Sequence, residues 1–227
     1  MTSFNVLFLS ILLAFDFATA KDSVVYIQPS AYKTLKTQIP KPPAENSIEQ
    51  KADEQELRLR QKNRTAADCA QARLEATADF AAMFSEPKGP LTTAEIAATQ
   101  KFFSQIRSNI SPFIGKMKSD FPRKRPFLYL KDIEPCVPKD DSGAYPSGHG
   151  TIGHLYALIL SDIFPKLTVK LEARGLDVGQ NRVMAGVHHP SDIVAGRKLG
   201  ELLYHEIKKS KTFQDDLSIL KRHLSKM

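Results

Sequence analysis

Residues 145–165 are Tyr-Pro-Ser-Gly-His-Gly-Thr-Ile-Gly-His-Leu-Tyr-Ala-Leu-Ile-Leu-Ser-Asp-Ile-Phe-Pro. Four apolar side chains in this stretch recur at helical intervals and form one stripe: Ile152, Leu155, Ile159 and Ile163. Such a stripe is typical of an amphipathic helix that buries one face, and Pro165 would end it. The stretch therefore predicts a helix from Ser147, with a polar Pro-Ser-Gly-His tetrapeptide at its N-terminus.

Helical patterns also flank this stretch on both sides. Thr92 and Glu95 have the spacing of a capping box, and the apolar residues after them predict a helix to about residue 110 and another over 113–118. Further helices are predicted over residues 49–62, 65–85, 166–181 with an interruption near Gly175, 190–207 and 213–224. A doubtful strand pattern occurs at 24–27. A chain of 227 residues fits one domain. The sequence thus predicts an all-α fold, a single-domain helical bundle.

The N-terminal 62 residues differ in composition from the rest of the chain. Residues 6–15 are largely apolar and residues 18–20 are Ala-Thr-Ala, a pattern typical of a signal peptide and its cleavage site. We therefore expect residues 1–20 to be a signal peptide, although a buried helix or an uncleaved anchor would fit the same run. Residues 21–62 contain several prolines and predict a surface arm followed by a polar helix. The helical domain would then span 63–227, in a periplasmic or secreted protein.

The chain has two cysteines, Cys69 and Cys136. An even number in an exported protein permits one disulfide, and two free buried thiols are the alternative. The cysteines lack a Cys-x-x-Cys spacing, and the histidines show no usual ligand pair on one helix face. We therefore expect no metal site and no cofactor.

The formal net charge is +7, and the densest run of bases lies between Lys116 and Arg125. A basic exported protein can attract nucleic acid, anionic lipid or anionic small molecules, and a solvated basic surface is the simplest explanation. After residue 20 no stretch reaches the roughly 18 apolar residues of a membrane span, so stable membrane insertion is not expected. Charge alone leaves the class of anionic partner open.

A histidine and a carboxylate near the C-terminal third have a spacing that suits nucleophilic catalysis. His188 and Asp192 are four residues apart, and Pro190 suits the first turn of a helix. Asp192 can then accept a hydrogen bond from one ring nitrogen of His188 and leave the other free to attack. A helix N-terminus with polar residues but no catalytic role would show the same spacing.

Groups that could bind a phosphate lie in the same half of the chain. Ser147 and Gly148 stand where a loop becomes a helix, and the free backbone N–H groups there can bind phosphate oxygens. Three cations could neutralise a phosphoryl group if the fold brings them together: Lys118, Arg125 and Arg182. The sequence alone does not show that they converge.

Taken together, these segments match a family signature of Lys-x6-Arg-Pro, Pro-Ser-Gly-His and Ser-Arg-x5-His-x3-Asp. The chain resembles the superfamily that joins type 2 phosphatidic acid phosphatases, bacterial class A non-specific acid phosphatases and vanadium haloperoxidases. Within it, the chain is most similar to the class A acid phosphatases, over about residues 39–203. Asn181 departs from the pattern by replacing Ser, and Ala144 and Gly150 replace the usual Ser and Thr. These departures bear on substrate range and rate.

The resemblance implies a role for each matching residue. His188 would be the nucleophile, Asp192 would orient it, and His149 would act first as general acid and then as base. The residues that would bind the phosphate are Lys118, Arg125, Ser147, Gly148 and Arg182. The resemblance also implies a helical fold of the phosphatidic acid phosphatase and haloperoxidase kind, and no metal in the reaction. Because His149 must start protonated and His188 neutral, an acid pH optimum is expected.

The expected function is that of an exported acid phosphatase that hydrolyses small phosphomonoesters through a phosphohistidine. No nucleic-acid partner is expected, and a homo-oligomer is left open. A lipid phosphatase, which would span the membrane, and a vanadium-dependent haloperoxidase are alternatives that use the same signature. A polyanion-binding module without activity would fit the charge but leave the pairing of His188 with Asp192 unexplained.

Overall fold

The computed structural model describes residues 24–227, and the predicted signal peptide at 1–20 lies outside this range. The α-helices of the described residues are α1 (Tyr32–Thr37), α2 (Ile48–Asn63), α3 (Ala66–Leu74), α4 (Phe80–Phe84), α5 (Thr93–Asp120), α6 (Gly148–Ile163), α7 (Thr168–Met184), α8 (Pro190–Ile207) and α9 (Lys211–Leu224). Short 3-10 helices cover Pro29–Ala31, Pro126–Leu128 and Pro165–Leu167. The extended backbone over 24–227 pairs at one isolated bridge, between Ser85 and Leu91. The predicted all-α, single-domain fold is confirmed.

Helix α6 lies at the centre of the fold and packs against both α7 and α8. A Cβ on Gly175 of α7 would lie 2.6 Å from the backbone oxygen of Gly153 in α6, so only glycine allows this close approach. Gly175 therefore lets α6 and α7 pack closely. The sequence predicted an interruption near Gly175, but α7 continues through this residue. The N-terminal turn of α6, which carries the Pro-Ser-Gly-His tetrapeptide, is held rigidly by this packing.

Helix α5 is longer than its sequence pattern predicts. A capping box of Thr92 and Glu95 starts it, as expected, and the helix then continues through Pro112 to Asp120. The predicted break near residue 112 does not occur, because Pro112 is exposed and its neighbours in α5 are buried in the core. Their burial outweighs the loss of one backbone hydrogen bond at the proline. One continuous helix therefore reaches the site at its C-terminal end.

The Ala-rich segment over 65–85 forms two helices where one was predicted. Helix α3 ends at Leu74, and α4 begins at Phe80 after a short link. Within the link, Ala78 adopts a left-handed conformation with φ of 53°. This conformation is uncommon for a residue with a side chain, and no Gly or Pro marks it in the sequence.

The described part of the predicted arm contributes to the main core. Tyr26 and Tyr32 are buried, and their hydroxyls donate to Asp216 and Asp120, each at 2.7 Å. Residues 24–27 form no strand, whereas the polar helix predicted over 49–62 is present as α2. This segment packs into the domain because its aromatic side chains fill gaps beside α5.

A disulfide between Cys69 and Cys136 joins α3 to the loop that precedes α6. The two residues are separated by 67 positions. Of the two alternatives left open by the sequence, a disulfide or two free thiols, the structure has the disulfide. Arg73 strengthens the same junction by donating from Nε to the backbone oxygen of Cys136 at 2.8 Å. Among the described helices, none combines the length and apolar character that crossing a membrane requires.

Candidate active site

One cavity brings together residues from all three sequence segments. It has a volume of about 490 Å³ and lies between α5, the loop before α6 and the first turn of α6. Six of the eight predicted site residues line it: Lys118, Arg125, Gly148, His149, Arg182 and His188. The other two, Ser147 and Asp192, are fully buried and are not part of the lining.

The imidazole of His188 is held in one tautomer by its neighbours. Its Nδ1 lies 3.2 Å from Oδ2 of Asp192, and its Nε2 lies 3.0 Å from Nη1 of Arg125. A guanidinium only donates and a carboxylate only accepts, so Nδ1 carries the proton and Nε2 presents its lone pair. Burial lowers the pKa of His188 well below its usual value, although the hydrogen bond to Asp192 opposes this shift. The ring is therefore neutral, and the lone pair of Nε2 accepts a hydrogen bond from Arg125.

Asp192 has more partners than its spacing from His188 suggests. Its Oδ2 accepts hydrogen bonds from the backbone N and Nδ1 of His189 at 2.8 and 3.0 Å, and its Oδ1 accepts from Nη1 of Arg123 at 2.6 Å. Burial raises the pKa of Asp192, but hydrogen bonds from His188 and His189 outweigh burial and hold this pKa far below its usual value. The carboxylate is therefore ionised and can balance a positive charge on His188.

Arg123 and Asp53 support Asp192 from the side opposite His188, and neither was predicted from the sequence. The guanidinium of Arg123 bridges Asp192 to Asp53 of α2, whose Oδ2 accepts at 2.7 Å. Asp53 also accepts from the backbone N of Ser191 at 2.9 Å. Arg123 lies two residues before Arg125 in the basic run, but a sequence does not show which bases in such a run turn inward.

The three predicted cations converge on the cavity with little neutralisation. Arg125 pairs with Asp140 at 2.8 Å, and no other ion pair of the three forms within residues 24–227. Burial, followed by repulsion from Arg125, lowers the pKa of Lys118 to about 8 and that of Arg182 to about 10. An anion in the cavity would relieve this repulsion, so the cluster favours phosphate binding.

Backbone carbonyls orient both arginines. Nη1 of Arg125 donates to the oxygen of Val187 at 2.9 Å, and Nη1 of Arg182 donates to that of Ala72 at 2.9 Å. Nε of Arg182 is buried and has no hydrogen-bond partner among the described residues. Leaving such a donor unsatisfied costs about 1–3 kcal/mol. A phosphate oxygen would supply the missing acceptor.

His149 lines the cavity from the first turn of α6, with one ring nitrogen already bonded. Its Nε2 lies 2.8 Å from the backbone oxygen of Glu75 at the end of α3. A carbonyl only accepts, so Nε2 carries a proton and Nδ1 is the nitrogen left for a substrate. Burial and then the charge of Arg182 lower the pKa of His149 to about 3. At this pKa the ring of His149 is neutral in mild acid, which differs from the protonated starting state expected from the family resemblance.

Glu75 is a further residue that no sequence motif identifies. Its carboxylate is completely buried, bonded to the guanidinium of Arg174 and, at 2.8 Å, to Nδ2 of Asn181. Asn181, the departure from the family pattern, thus donates to Glu75. Two α7 residues therefore fix the end of α3, whose carbonyl in turn fixes His149.

Ser147 and Gly148 share the N-terminus of α6 but differ in position. The Ser147 hydroxyl caps the helix by accepting from the backbone N of Gly150 at 3.2 Å, and its own N donates to the oxygen of Asp192 at 2.9 Å. Ser147 therefore joins α6 to α8. Gly148 lines the cavity, where the N-terminal end of α6 adds a favourable field for an anion.

The chain is similar to known proteins over most of its length. Residues 97–212, which contain the whole lysine-to-aspartate signature, match the PAP2 superfamily. The chain belongs to the PAP2 superfamily. It is 30% identical to the non-specific acid phosphatase of Providencia stuartii over 220 residues, which cover 92% of this chain and 88% of that protein.

Other PAP2 relatives match over a smaller region or at lower identity. The non-specific acid phosphatase of Salmonella typhimurium is 36% identical over 113 residues, and the chain spans only 45% of that relative's length. The crystal structure of a transmembrane PAP2-type phosphatidylglycerolphosphate phosphatase from Bacillus subtilis has a TM-score of 0.53 and 18% identity, covering 78% of this chain and 90% of that chain. The latter likeness concerns the fold, and it agrees with the predicted helical PAP2 architecture.

Proposed function

We propose that this chain is an exported acid phosphatase that hydrolyses small phosphomonoesters through a phosphohistidine on His188. The observation that carries the proposal is the lone pair on Nε2 of His188, placed beside three cations in one cavity. Relatives named non-specific acid phosphatase support the reaction class. Small phosphomonoesters are proposed as substrates, since a phosphate with a modest leaving group fits the cavity of about 490 Å³.

In the first step, the phosphate takes over the hydrogen bond that Nη1 of Arg125 donates to Nε2 of His188. The freed lone pair of Nε2 attacks phosphorus, and the bond from phosphorus to the ester oxygen breaks. His149 donates its Nδ1 proton to the departing oxygen, and Asp192 balances the positive charge that develops on His188. In the second step, water attacks phosphorus, the bond to Nε2 breaks, and His149 takes the proton from water. Inorganic phosphate then leaves as its monoanion, carrying the proton that His149 took from water, and both histidines return to their neutral starting states.

The proton on Nδ1 of His149 arrives with the substrate. A phosphomonoester has a second pKa of about 6, so its monoanion is abundant in mild acid. Among the cations of the cavity this monoanion releases its proton readily, and the remaining negative charge opposes the field of Arg182 that lowers the pKa of His149. Activity therefore falls as the pH rises above about 6 and the monoanion disappears, which gives the acid optimum.

Metal independence and export are also part of the proposal. Three fixed cations can stabilise the charge on a transferring phosphoryl group, a task that Mg²⁺ performs in other phosphoryl-transfer enzymes. The disulfide between Cys69 and Cys136 supports export, because such bonds persist mainly in oxidising compartments. A homo-oligomer stays a prediction.

Hydrolysis of p-nitrophenyl phosphate at pH 5 to 6 with EDTA tests the function. His188→Ala should abolish turnover, whereas the control His205→Ala, an exposed histidine on α8, should not. Mass spectrometry of an alkaline-quenched reaction should find a phosphoryl group on the peptide that contains His188. Turnover retained by His188→Ala would refute the assigned nucleophile. A folded parent that releases no phosphate would refute phosphatase activity, and halide oxidation with vanadate and peroxide would then identify the haloperoxidase alternative.

A further inference from the structure

The cavity contains more cations than the phosphoryl group needs. In addition to the three cations discussed above, Arg107 and Lys139 line it. Neither forms an ion pair within residues 24–227, and Lys139 is exposed at the rim. Arg107 is half-buried on α5, and its charge has no assigned partner in the phosphoryl-transfer step.

Arg107 and Lys118 occupy the same face of α5, far apart along it. Eleven residues separate them, which is three helical turns and about 16 Å at 1.5 Å per residue. Lys118 approaches the phosphate end of the cavity beside Arg125. Arg107 therefore lies on the same wall but away from the attacking nitrogen of His188.

A continuous set of contacts places Arg107 next to the general acid. Nη1 of Arg107 donates to the backbone oxygen of Ala78 at 3.1 Å, and the backbone N of Ala78 donates to the oxygen of Glu75 at 2.8 Å. That same oxygen accepts from Nε2 of His149. The charge of Arg107 also contributes to the lowered pKa of His149, after burial and Arg182. These contacts reach His149 through Nε2, which faces away from the substrate, so the leaving-group side is assigned to Arg107 because it lines the same cavity as His149.

We propose that Arg107 forms a second anion subsite, which selects phosphomonoesters whose leaving group carries its own negative group. A carboxylate or a second phosphate supplies the same chemistry, a planar or tetrahedral oxyanion for a guanidinium. The inference rests on the proposed function, since it assigns the leaving-group side from the role of His149. Lys139 at the rim adds attraction during entry.

Matched substrates test the subsite. The substrates are 4-carboxyphenyl phosphate, its neutral amide analogue 4-carbamoylphenyl phosphate, and 1,4-phenylene bisphosphate. Arg107→Gln should lower kcat/KM about 10- to 100-fold for the two anionic substrates and less than about 3-fold for the amide, the range expected for a charge-assisted hydrogen bond. Arg107→Lys should keep part of the preference. Lys101→Gln, an exposed charge change on the same helix, should alter none of the three.

The comparison of the two anionic substrates distinguishes the sources of the negative group. A loss confined to the carboxylate or to the bisphosphate names the preferred anion, and either result supports the subsite. An equal loss on the amide and the anionic substrates would overturn the proposal, as would no loss at all. Thermal unfolding of each variant shows whether a general loss comes from misfolding. If Arg107→Gln is misfolded, Arg107→Lys replaces it in the comparison and decides whether the subsite exists.

A binding measurement separates this inference from the proposed function. Calorimetry with 4-carboxybenzylphosphonate and 4-carbamoylbenzylphosphonate needs no turnover. If the parent hydrolyses nothing yet binds the carboxylate about 10-fold more tightly through Arg107, the phosphatase proposal fails and the subsite stands. If the parent hydrolyses all three substrates without preference and binds both phosphonates equally, the subsite fails and the phosphatase stands.

Discussion

Removing the carboxylate of Glu75 should damage acid catalysis more than phosphate binding. Among the described residues, Glu75 forms no hydrogen bond or ion pair with the phosphate-binding set, although its charge partly offsets the lowered pKa of Arg182. Its backbone oxygen holds Nε2 of His149, and its carboxylate is held by Arg174 and Asn181. Glu75→Gln would leave the buried guanidinium of Arg174 without its anion. Breaking a buried ion pair costs about 3–5 kcal/mol, and the link at the end of α3 would lose its fixed position.

A milder variant separates positioning from folding. Asn181→Ala keeps the pair of Glu75 with Arg174 and removes one hydrogen bond to a charged acceptor, worth about 1.5–3 kcal/mol. At about 2–4 °C per kcal/mol for a chain of this size, the melting temperature should fall by roughly 3–12 °C. Acid catalysis by His149 should therefore weaken in this variant, while the protein stays folded at assay temperature.

The decisive assay varies the leaving group. A proton donor matters most when the departing oxygen is strongly basic, so kcat/KM for an alkyl phosphate should fall about 10- to 100-fold, part of the roughly 10²–10⁴-fold that acid catalysis contributes. For 2,4-dinitrophenyl phosphate, whose leaving group needs little protonation, kcat/KM should change less than about 3-fold. This ratio excludes hydrolysis of the phosphohistidine, in which His149 acts as base. In a His149→Ala background, Asn181→Ala should add no further loss. Equal losses on both substrates, or additive losses with His149→Ala, would refute the positioning argument.

Three other outcomes follow from the same contacts. Asp192→Asn should lower kcat by about 10³–10⁴, because an amide cannot balance the charge on His188, and circular dichroism should show an intact fold; a fall below 10-fold would contradict the assigned pairing. Cys69→Ser should destabilise the protein by about 4 kcal/mol from loop entropy, seen in urea unfolding as a lower midpoint that matches the effect of reductant on the parent. The pKa values of His149 and His188 are lowered in the folded state, so their contribution to the free energy of unfolding is complete above the unfolded pKa of about 6.5. Below that pH it falls by roughly 1.4 kcal/mol per histidine per pH unit. Thermal unfolding in phosphate-free buffer from pH 7.5 to 5.5 checks this, and a flat profile would argue against neutral buried rings.

The sequence predicted well those features that local spacing determines. The side chains of His188 and Asp192 are in contact because residues four positions apart at the start of a helix lie on the same side of it. Pro190, between them, is the first residue of α8 and fixes where that helix starts. The apolar stripe of α6 and the capping box of α5 are equally local, and both helices exist. The site residues then converge because α5, the N-terminal end of α6, the C-terminal end of α7 and the adjoining loops line one cavity. The family resemblance implied this outcome, and spacing alone did not.

The features that escaped prediction depend on contacts between distant segments. Glu75 and Arg174 are 99 residues apart, and Arg123 reaches Asp53 across 70 residues. A buried ion pair has no local pattern, because each partner alone resembles an ordinary solvated charge. The left-handed turn at Ala78 is similar, since tertiary packing imposes a conformation that the residue itself does not favour.

Asp53 shows why the N-terminal segment cannot be treated as an appendage to the site. It lies in α2, within the segment that composition separates from the helical domain, yet it bonds both Arg123 and the backbone of Ser191 at the start of α8. Without Asp53, the two cationic nitrogens of Arg123 would share a single carboxylate, and Asp192 would be drawn toward Arg123. The distance from Asp192 to Nδ1 of His188, now 3.2 Å, would then increase and the tautomer of the nucleophile would be less defined. Helix α2 therefore influences the reaction indirectly, through the carboxylate of Asp53, which does not contact the substrate.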